Sequence, residues 1–196
     1  VCSIQIGDFG FEKEYMKRHK IFRRSIILED EDHLFFGGNH DDYSALPDFH
    51  VGDYGHLPFV DDGYFVRGGK SIDEHARTAG HDWWPEEELD WKQAKECVKD
   101  YAEVKPKIMA THDAPDSVCR KIFSDDTRIN TTTGKLLQNL FDIHKPELWI
   151  FGHWHEDRMK EVDGTVFVCR DELSVFELDN SVSLKENIKK HAQKQD

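Results

Sequence analysis

Four short apolar runs, each closed by a turn that carries an aspartate, asparagine or histidine, constrain this chain more than any other feature. Residues 1–6 end at Gly7-Asp8-Phe9-Gly10, and His33–Phe36 ends at Gly37-Gly38-Asn39-His40-Asp41-Asp42. Residues 107–110 end at Thr111-His112-Asp113-Ala114-Pro115, and Leu148–Phe151 ends at Gly152-His153-Trp154-His155. Runs this short, bounded by turn formers, fit buried strands better than helices. A later pair, Thr165–Cys169 and residues 173–178, reads as a hairpin or meander.

Helices are expected between the strands. Pro85 followed by Glu86, Glu87 and Glu88 is a helix start, because proline suits the first helical position and acids face the positive end of the dipole. Trp91, Ala94, Val98 and Tyr101 then recur at helical spacing until Pro106 closes the segment. A second helix is expected from about Thr133, with Leu136, Leu137, Leu140 and Phe141 on one face and an end before Pro146. Strands alternating with helices, plus a late meander, predict an α/β domain of layered sheets over residues 1–180. Residues 181–196, polar and lysine-rich, form a peripheral helix or a frayed tail.

The chain of 196 residues is long enough to bury a core in one domain. Its 39 Asp+Glu against 26 Lys+Arg give a net charge of −13. That balance argues against a nucleic-acid binder held by phosphate contacts, and against binding to an anionic membrane surface. No apolar run is long enough to span a bilayer and no targeting segment is visible, so a cytoplasmic location is expected. The four cysteines, Cys2, Cys97, Cys119 and Cys169, form no CxxC pair and read as reduced, buried thiols. Twelve histidines beside many carboxylates point to a metal site, since imidazole is the commonest metal ligand.

Spacing turns that prior into a candidate site. In layered α/β folds, side chains just past the carboxyl ends of strands converge on one rim. The residues so placed are Asp8, Asn39, His40, His112, His153 and His155, a set of hard oxygens and imidazoles suited to Mn, Fe, Zn or Ni. Each alone has an ordinary structural account as a turn former, cap or surface pair. All of them together, each directly after an apolar run, do not.

Gly-Asp at 7–8, Gly-Asn-His-Asp at 38–41, the histidine of Thr111-His112 and Gly-His-Trp-His at 152–155 resemble four of the five motifs of calcineurin-like metallophosphoesterases. The resemblance runs from residue 1 to about residue 178. Residues 67–73 and 83–87 are similar to a phage and bacterial subset. It implies a two-layer mixed β-sheet sandwich flanked by helices. It also implies hydrolysis of phosphate esters by a hydroxide activated at a dinuclear centre, with manganese the first expectation and iron, zinc or nickel as alternatives. By motif position, Asp8 would bridge two metals. Asn39, His112 and His153 would complete the ligands of one, and His155 would turn to the other. His40 would stand over the substrate and protonate the leaving oxygen, with Asp41 hydrogen-bonding it.

The fifth motif, an Asp-x-His after the family's first strand, has no counterpart here, because residues 1–6 fill the next strand. One well-held metal and weak or no turnover are therefore expected of this polypeptide alone. A phosphodiesterase or nucleotide hydrolase on the same site, or a non-catalytic scaffold relative, are the alternatives. The expected partner is a phosphorylated substrate.

Other residues fall outside the candidate site. Arg67, Lys70 and Arg77 suit phosphate contact or a solvated loop equally. The basic cluster Lys17, Arg18, His19, Lys20, Arg23 and Arg24 reads as a solvated helix face. His50, His56, His75 and His81 read as surface residues of the segment between motifs, and Trp83 and Trp84 as packing at a helix start.

Overall fold

The computed structural model describes residues 2–10, 32–46, 50–123 and 130–193. The basic cluster at 17–24 lies outside them. Strands β1 (Ser3–Ile6) and β2 (His33–Phe36) pair in parallel as a two-stranded sheet. The main sheet contains β3 (Tyr54–His56), β4 (Gly63–Val66), β5 (Ile108–Thr111), β6 (Leu148–Phe151), β7 (Arg158–Val162) and β8 (Thr165–Cys169). Their order is β3-β4-β5-β6-β8-β7. The four central strands run parallel, and β3 and β7 close the two edges antiparallel to their neighbours.

Alternation along the strands builds two cores. Tyr64, Val66, Met109, Trp149, Phe151, Phe167 and Cys169 face one side, under helices α1 (Trp91–Val104), α2 (Asp116–Ile122) and α3 (Thr132–Ile143). Phe65 and Ala110 face the other and pack on Phe36, Ile4 and Ile6 of the small sheet. Ile108, Leu148, Ile150 and Val168 continue that second face, covered by Ile6, Phe176, Leu178 and the C-terminal helix α4 (Leu184–Ala192). Burial on both faces is why β4, β5 and β6 read as unbroken apolar runs. The result is the mixed α/β sandwich, flanked by helices, that the resemblance implied.

Local details depart from expectation in four places. Pro85 starts only a 3-10 turn, Pro85–Glu87, and α1 begins at Trp91. Asp90 is the better start signal, since its carboxylate accepts from the amides of Lys92 and Gln93 while the Gln93 side chain returns to the Asp90 amide. Trp91 is 76 % exposed, so Cys97 and Tyr101 rather than Trp91 make the buried stripe. The partner of β8 is β7, and residues 173–178 form no strand. Cys2 is exposed, whereas the other three cysteines are buried free thiols. The C-terminal segment folds as α4, capped by a Ser183–Glu186 capping box, with Asn187 and His191 buried. No helix among the described residues is long and apolar enough to cross a membrane.

Candidate metal centre

The carboxyl ends of β1, β2, β5 and β6 deliver Asp8, Asn39, His112 and His153 to one place. The Asn39 amide oxygen is the hub. His112 Nε2 lies 2.9 Å from Asn39 Oδ1, His153 Nδ1 lies 3.0 Å from the same oxygen, and Asp8 Oδ1 lies 3.4 Å from His112 Nε2. The two imidazole rings meet edge to face with centroids 5.0 Å apart. Asn39 and His112 are 3 % and 2 % exposed, so these polar atoms are settled by one another rather than by solvent.

Close approach demands glycine at two positions. A Cβ on Gly38 would stand 2.3 Å from Asp8 Oδ1, and one on Gly7 would stand 2.2 Å from His112 Nδ1. Gly7 also adopts φ +100°, which side-chain-bearing residues avoid. Asp8, His153 and His155 themselves occupy the left-handed region, at φ 52°, 67° and 52°. Such backbone costs about 1–3 kcal/mol per residue and persists where surrounding structure dictates it, commonly at functional sites.

Hydrogen bonds lock the turns together. His112 Nδ1 donates to the Ile6 carbonyl oxygen at 2.9 Å, the Gly152 amide donates to the His112 carbonyl at 3.0 Å, and Trp154 Nε1 donates to Asp113 Oδ1 at 3.0 Å. A carbonyl only accepts, so His112 carries its fixed proton on Nδ1 and turns Nε2 toward the two oxygens. Burial alone would raise Asp8 and lower His112. Their mutual attraction wins in both, with the His40 amide also favouring the Asp8 carboxylate. Asp8 sits well below the usual carboxylate range, and His112 is raised to about 9. Asp113, fully enclosed, is pushed up to about 6 by burial despite bonds from the Ala114 amide and Trp154.

Among the described residues no group of three or more His, Cys, Asp or Glu side chains forms a ready-made cage. The donor set nevertheless fits a divalent cation once the Asn39 oxygen is counted. Asp8 Oδ1, Asn39 Oδ1 and the Nε2 lone pair of His112 are all acceptors, and only a proton or a cation among them relieves that opposition. The raised His112 shows the proton doing so.

The remaining candidates are placed differently. His155 Nδ1 lies 2.8 Å from Glu172 Oε1. Asp41, fully buried, accepts from the amides of Phe9, Gly10 and Gly38 at 3.3, 2.8 and 2.8 Å, tying the β1 and β2 turns together. His40 donates its amide to Asp8 Oδ1 at 2.9 Å, and its ring meets Arg77, with Nη1 3.0 Å from Nδ1 and Nη2 3.4 Å from Nε2. A guanidinium only donates, so Nδ1, the nearer nitrogen, accepts, and Nε2 faces the other guanidinium nitrogen rather than open space.

Arg77, equally suited by sequence to phosphate contact or a solvated loop, stands against the His40 ring. Asp73 holds its Nε at 2.7 Å and the Asp82 carbonyl accepts from Nη1 at 2.9 Å. Arg67 is a structural cation instead, bound to Asp53 and the Glu86 carbonyl with its guanidinium 3.9 Å from the Tyr43 ring centroid. Lys70 pairs with Glu74 and lies 3.8 Å from Glu87. Arg77 also lines a cavity of about 750 Å³, together with Lys70, Ser71, Trp83, Asn130 and Thr131.

The family model for calcineurin-like phosphoesterases matches residues 7–157, a span that contains every residue of this centre. No curated protein sequence matches the chain. Among solved structures, phosphopantetheinyl hydrolase from Mycobacterium tuberculosis is similar at 14% identity over 86% of this chain and 78% of the hydrolase chain, with a TM-score of 0.41.

Proposed function

Because the chain belongs to the calcineurin-like phosphoesterase family, we propose that it hydrolyses phosphate esters with divalent metal at this centre. The observation that carries the reading is the convergence of Asp8 Oδ1, Asn39 Oδ1, His112 Nε2 and His153 Nδ1 from four strand ends in two sheets. These residues would hold one cation, with manganese the expected metal for an oxygen and imidazole set. When bound, divalent metal polarises phosphoryl oxygens and lowers the pKa of water.

The chain's own groups supply the rest. His40 would give a proton to the leaving oxygen as imidazolium, returning to neutral imidazole, which requires the Arg77 guanidinium to turn from the ring toward the phosphate. Arg77, pinned by Asp73, presents a guanidinium fork suited to phosphate. The adjoining cavity is wide enough for the organic part of the ester, within the range of small-molecule pockets. A second cation would share Asp8 and recruit His155, which requires His155 to leave Glu172. That pairing is the observation favouring the rival reading, a non-catalytic relative with a single metal.

Hydrolysis of p-nitrophenyl phosphate and its bis-aryl diester, measured with and without added Mn²⁺, tests the proposal and separates monoesterase from diesterase. Metal-dependent turnover abolished by His112→Ala supports it; no turnover of either ester with bound Mn²⁺ supports the rival.

A further inference from the structure

An asparagine ligand has a weakness that a carboxylate lacks: rotated by half a turn, its amide presents N–H groups to the cation instead of oxygen. The surroundings of Asn39 decide the orientation. Asn39 Nδ2 donates to Ser71 Oγ at 3.1 Å, and Ser71 Oγ donates to Glu87 Oε2 at 2.6 Å. The Ser71 amide donates to the other glutamate oxygen, Oε1, at 3.0 Å. Asn39, Ser71 and Glu87 are 3 %, 2 % and 1 % exposed, so water does not compete along this chain.

A hydroxyl has one proton. With that proton committed to Glu87, Ser71 Oγ can only accept from Asn39. The amide must then point Nδ2 at Ser71 and Oδ1 at His112 and His153. We infer that Glu87, acting through the Ser71 hydroxyl, is a positioning residue that fixes the Asn39 amide with its oxygen toward the cation site; the cation itself rests on the proposed metal-dependent function. Glu87 is placed for this by the turn Pro85–Glu87, and the Glu87 carbonyl accepts from the Gly69 amide at 3.2 Å. A Cβ on Gly68 would strike that same carbonyl at 2.3 Å, so the two segments are held in register by glycine.

An isosteric change at Glu87 reverses the chain of hydrogen bonds. In Glu87→Gln the backbone N–H of Ser71 cannot face another donor, so the glutamine must keep its oxygen there and turn its NH₂ to Ser71 Oγ. The hydroxyl then accepts from glutamine and aims its own proton at residue 39. The chain of hydrogen bonds runs backwards, and the Asn39 amide is driven to present nitrogen to the histidines. An aspartate at 39 would respond in the opposite sense, since its carboxylate welcomes the redirected hydroxyl proton and still offers oxygen to the cation.

The test is Mn²⁺ affinity by calorimetry on the full chain, with thermal stability recorded beside it, for wild type, Glu87→Gln, Ser71→Ala, Asn39→Asp and the Asn39→Asp/Glu87→Gln double variant. Expected is an affinity loss of about tenfold or more in Glu87→Gln, a smaller loss in Ser71→Ala, and no loss when Glu87→Gln is added to Asn39→Asp. Equal losses from Glu87→Gln in both backgrounds, a loss within twofold, or a greater loss in Ser71→Ala would overturn the inference. Side-chain amide NMR of the metal-free protein reads the orientation without any cation. Asn39 NH₂ protons should show contacts to Ser71 in wild type and to the His112 and His153 rings in Glu87→Gln. Absence of Mn²⁺ binding by wild type with that exchange of contacts refutes the metal reading alone, and absence of the exchange refutes the positioning role.

Discussion

His112 Nδ1 donates to the carbonyl oxygen of Ile6 at 2.9 Å, across 106 residues of sequence and from the main sheet to the small one. One hydrogen bond thus sets the tautomer of a candidate ligand and joins the two layers at the rim where the strand ends meet. It leaves Nε2 to be shared among a carboxylate, an amide oxygen and either a proton or a cation.

The proton and the cation must compete. His112 is raised to about 9 from an ordinary 6.5, so near neutrality the metal-free protein carries a proton on Nε2 that a cation must displace. Mn²⁺ affinity should rise by roughly tenfold per pH unit from 7 toward 9, with about one proton released per cation, measured by calorimetry in buffers of different ionisation enthalpy. An affinity flat across that range would contradict the assignment.

The same pair predicts how metal-free stability follows pH. His112 is raised, so its stabilisation is fully present below about 6.5 and lost as pH climbs through 9. Asp8 is depressed, so its share is present above its ordinary 3.8 and lost as pH falls well below that value. Asp113, raised to about 6, adds a further loss as pH rises through 6. Against an Asp8→Asn/His112→Asn control, the wild-type Tm advantage should therefore be largest near pH 4–6 and shrink toward pH 9.

Gly38→Ala should remove the centre without unfolding the domain. Its Cβ meets both Asp8 Oδ1 and the Asp8 amide nitrogen at 2.3 and 2.5 Å, so backbone must shift, at an overpacking cost of about 1–3 kcal/mol. Denaturant unfolding should register that loss, and Mn²⁺ titration should show binding abolished.

Asp41→Asn separates two roles for that carboxylate. As the acceptor of three backbone amides it should cost about 1–3 kcal/mol in denaturant unfolding, because the amide that replaces one oxygen opposes a buried donor. If Asp41 acted only through the basicity of His40, stability would stay within about 0.5 kcal/mol of wild type.

The strand ends were legible because an apolar run followed by Gly and a ligand-type residue needs no tertiary knowledge. Asp8, Asn39, His112 and His153 could be read that way, and so could the layered α/β class. Three features could not. Glu87 belongs to the run Glu86-Glu87-Glu88, which looks like the acidic first turn of a helix; only the packed turn shows that the middle glutamate is buried while Glu86 is exposed. Asp41 sits beside His40 in sequence, yet its carboxylate receives amides from the neighbouring strand's turn, a contact across 32 residues. Residues 173–178 have strand-like alternation, but β7 already occupies the edge beside β8. In each case long-range geometry, which no local pattern encodes, chose among sequence-compatible outcomes.

The proposed function stands on one divalent cation held by Asp8, Asn39, His112 and His153. Electron paramagnetic resonance of Mn²⁺ with the protein uniformly labelled with ¹⁵N, and again with ¹⁵N only in histidine, tests it most directly. Superhyperfine coupling to two imidazole nitrogens is expected, lost one at a time in His112→Ala and His153→Ala and retained in His155→Ala. Bound Mn²⁺ with no imidazole coupling, or coupling that disappears only in His155→Ala, would contradict it.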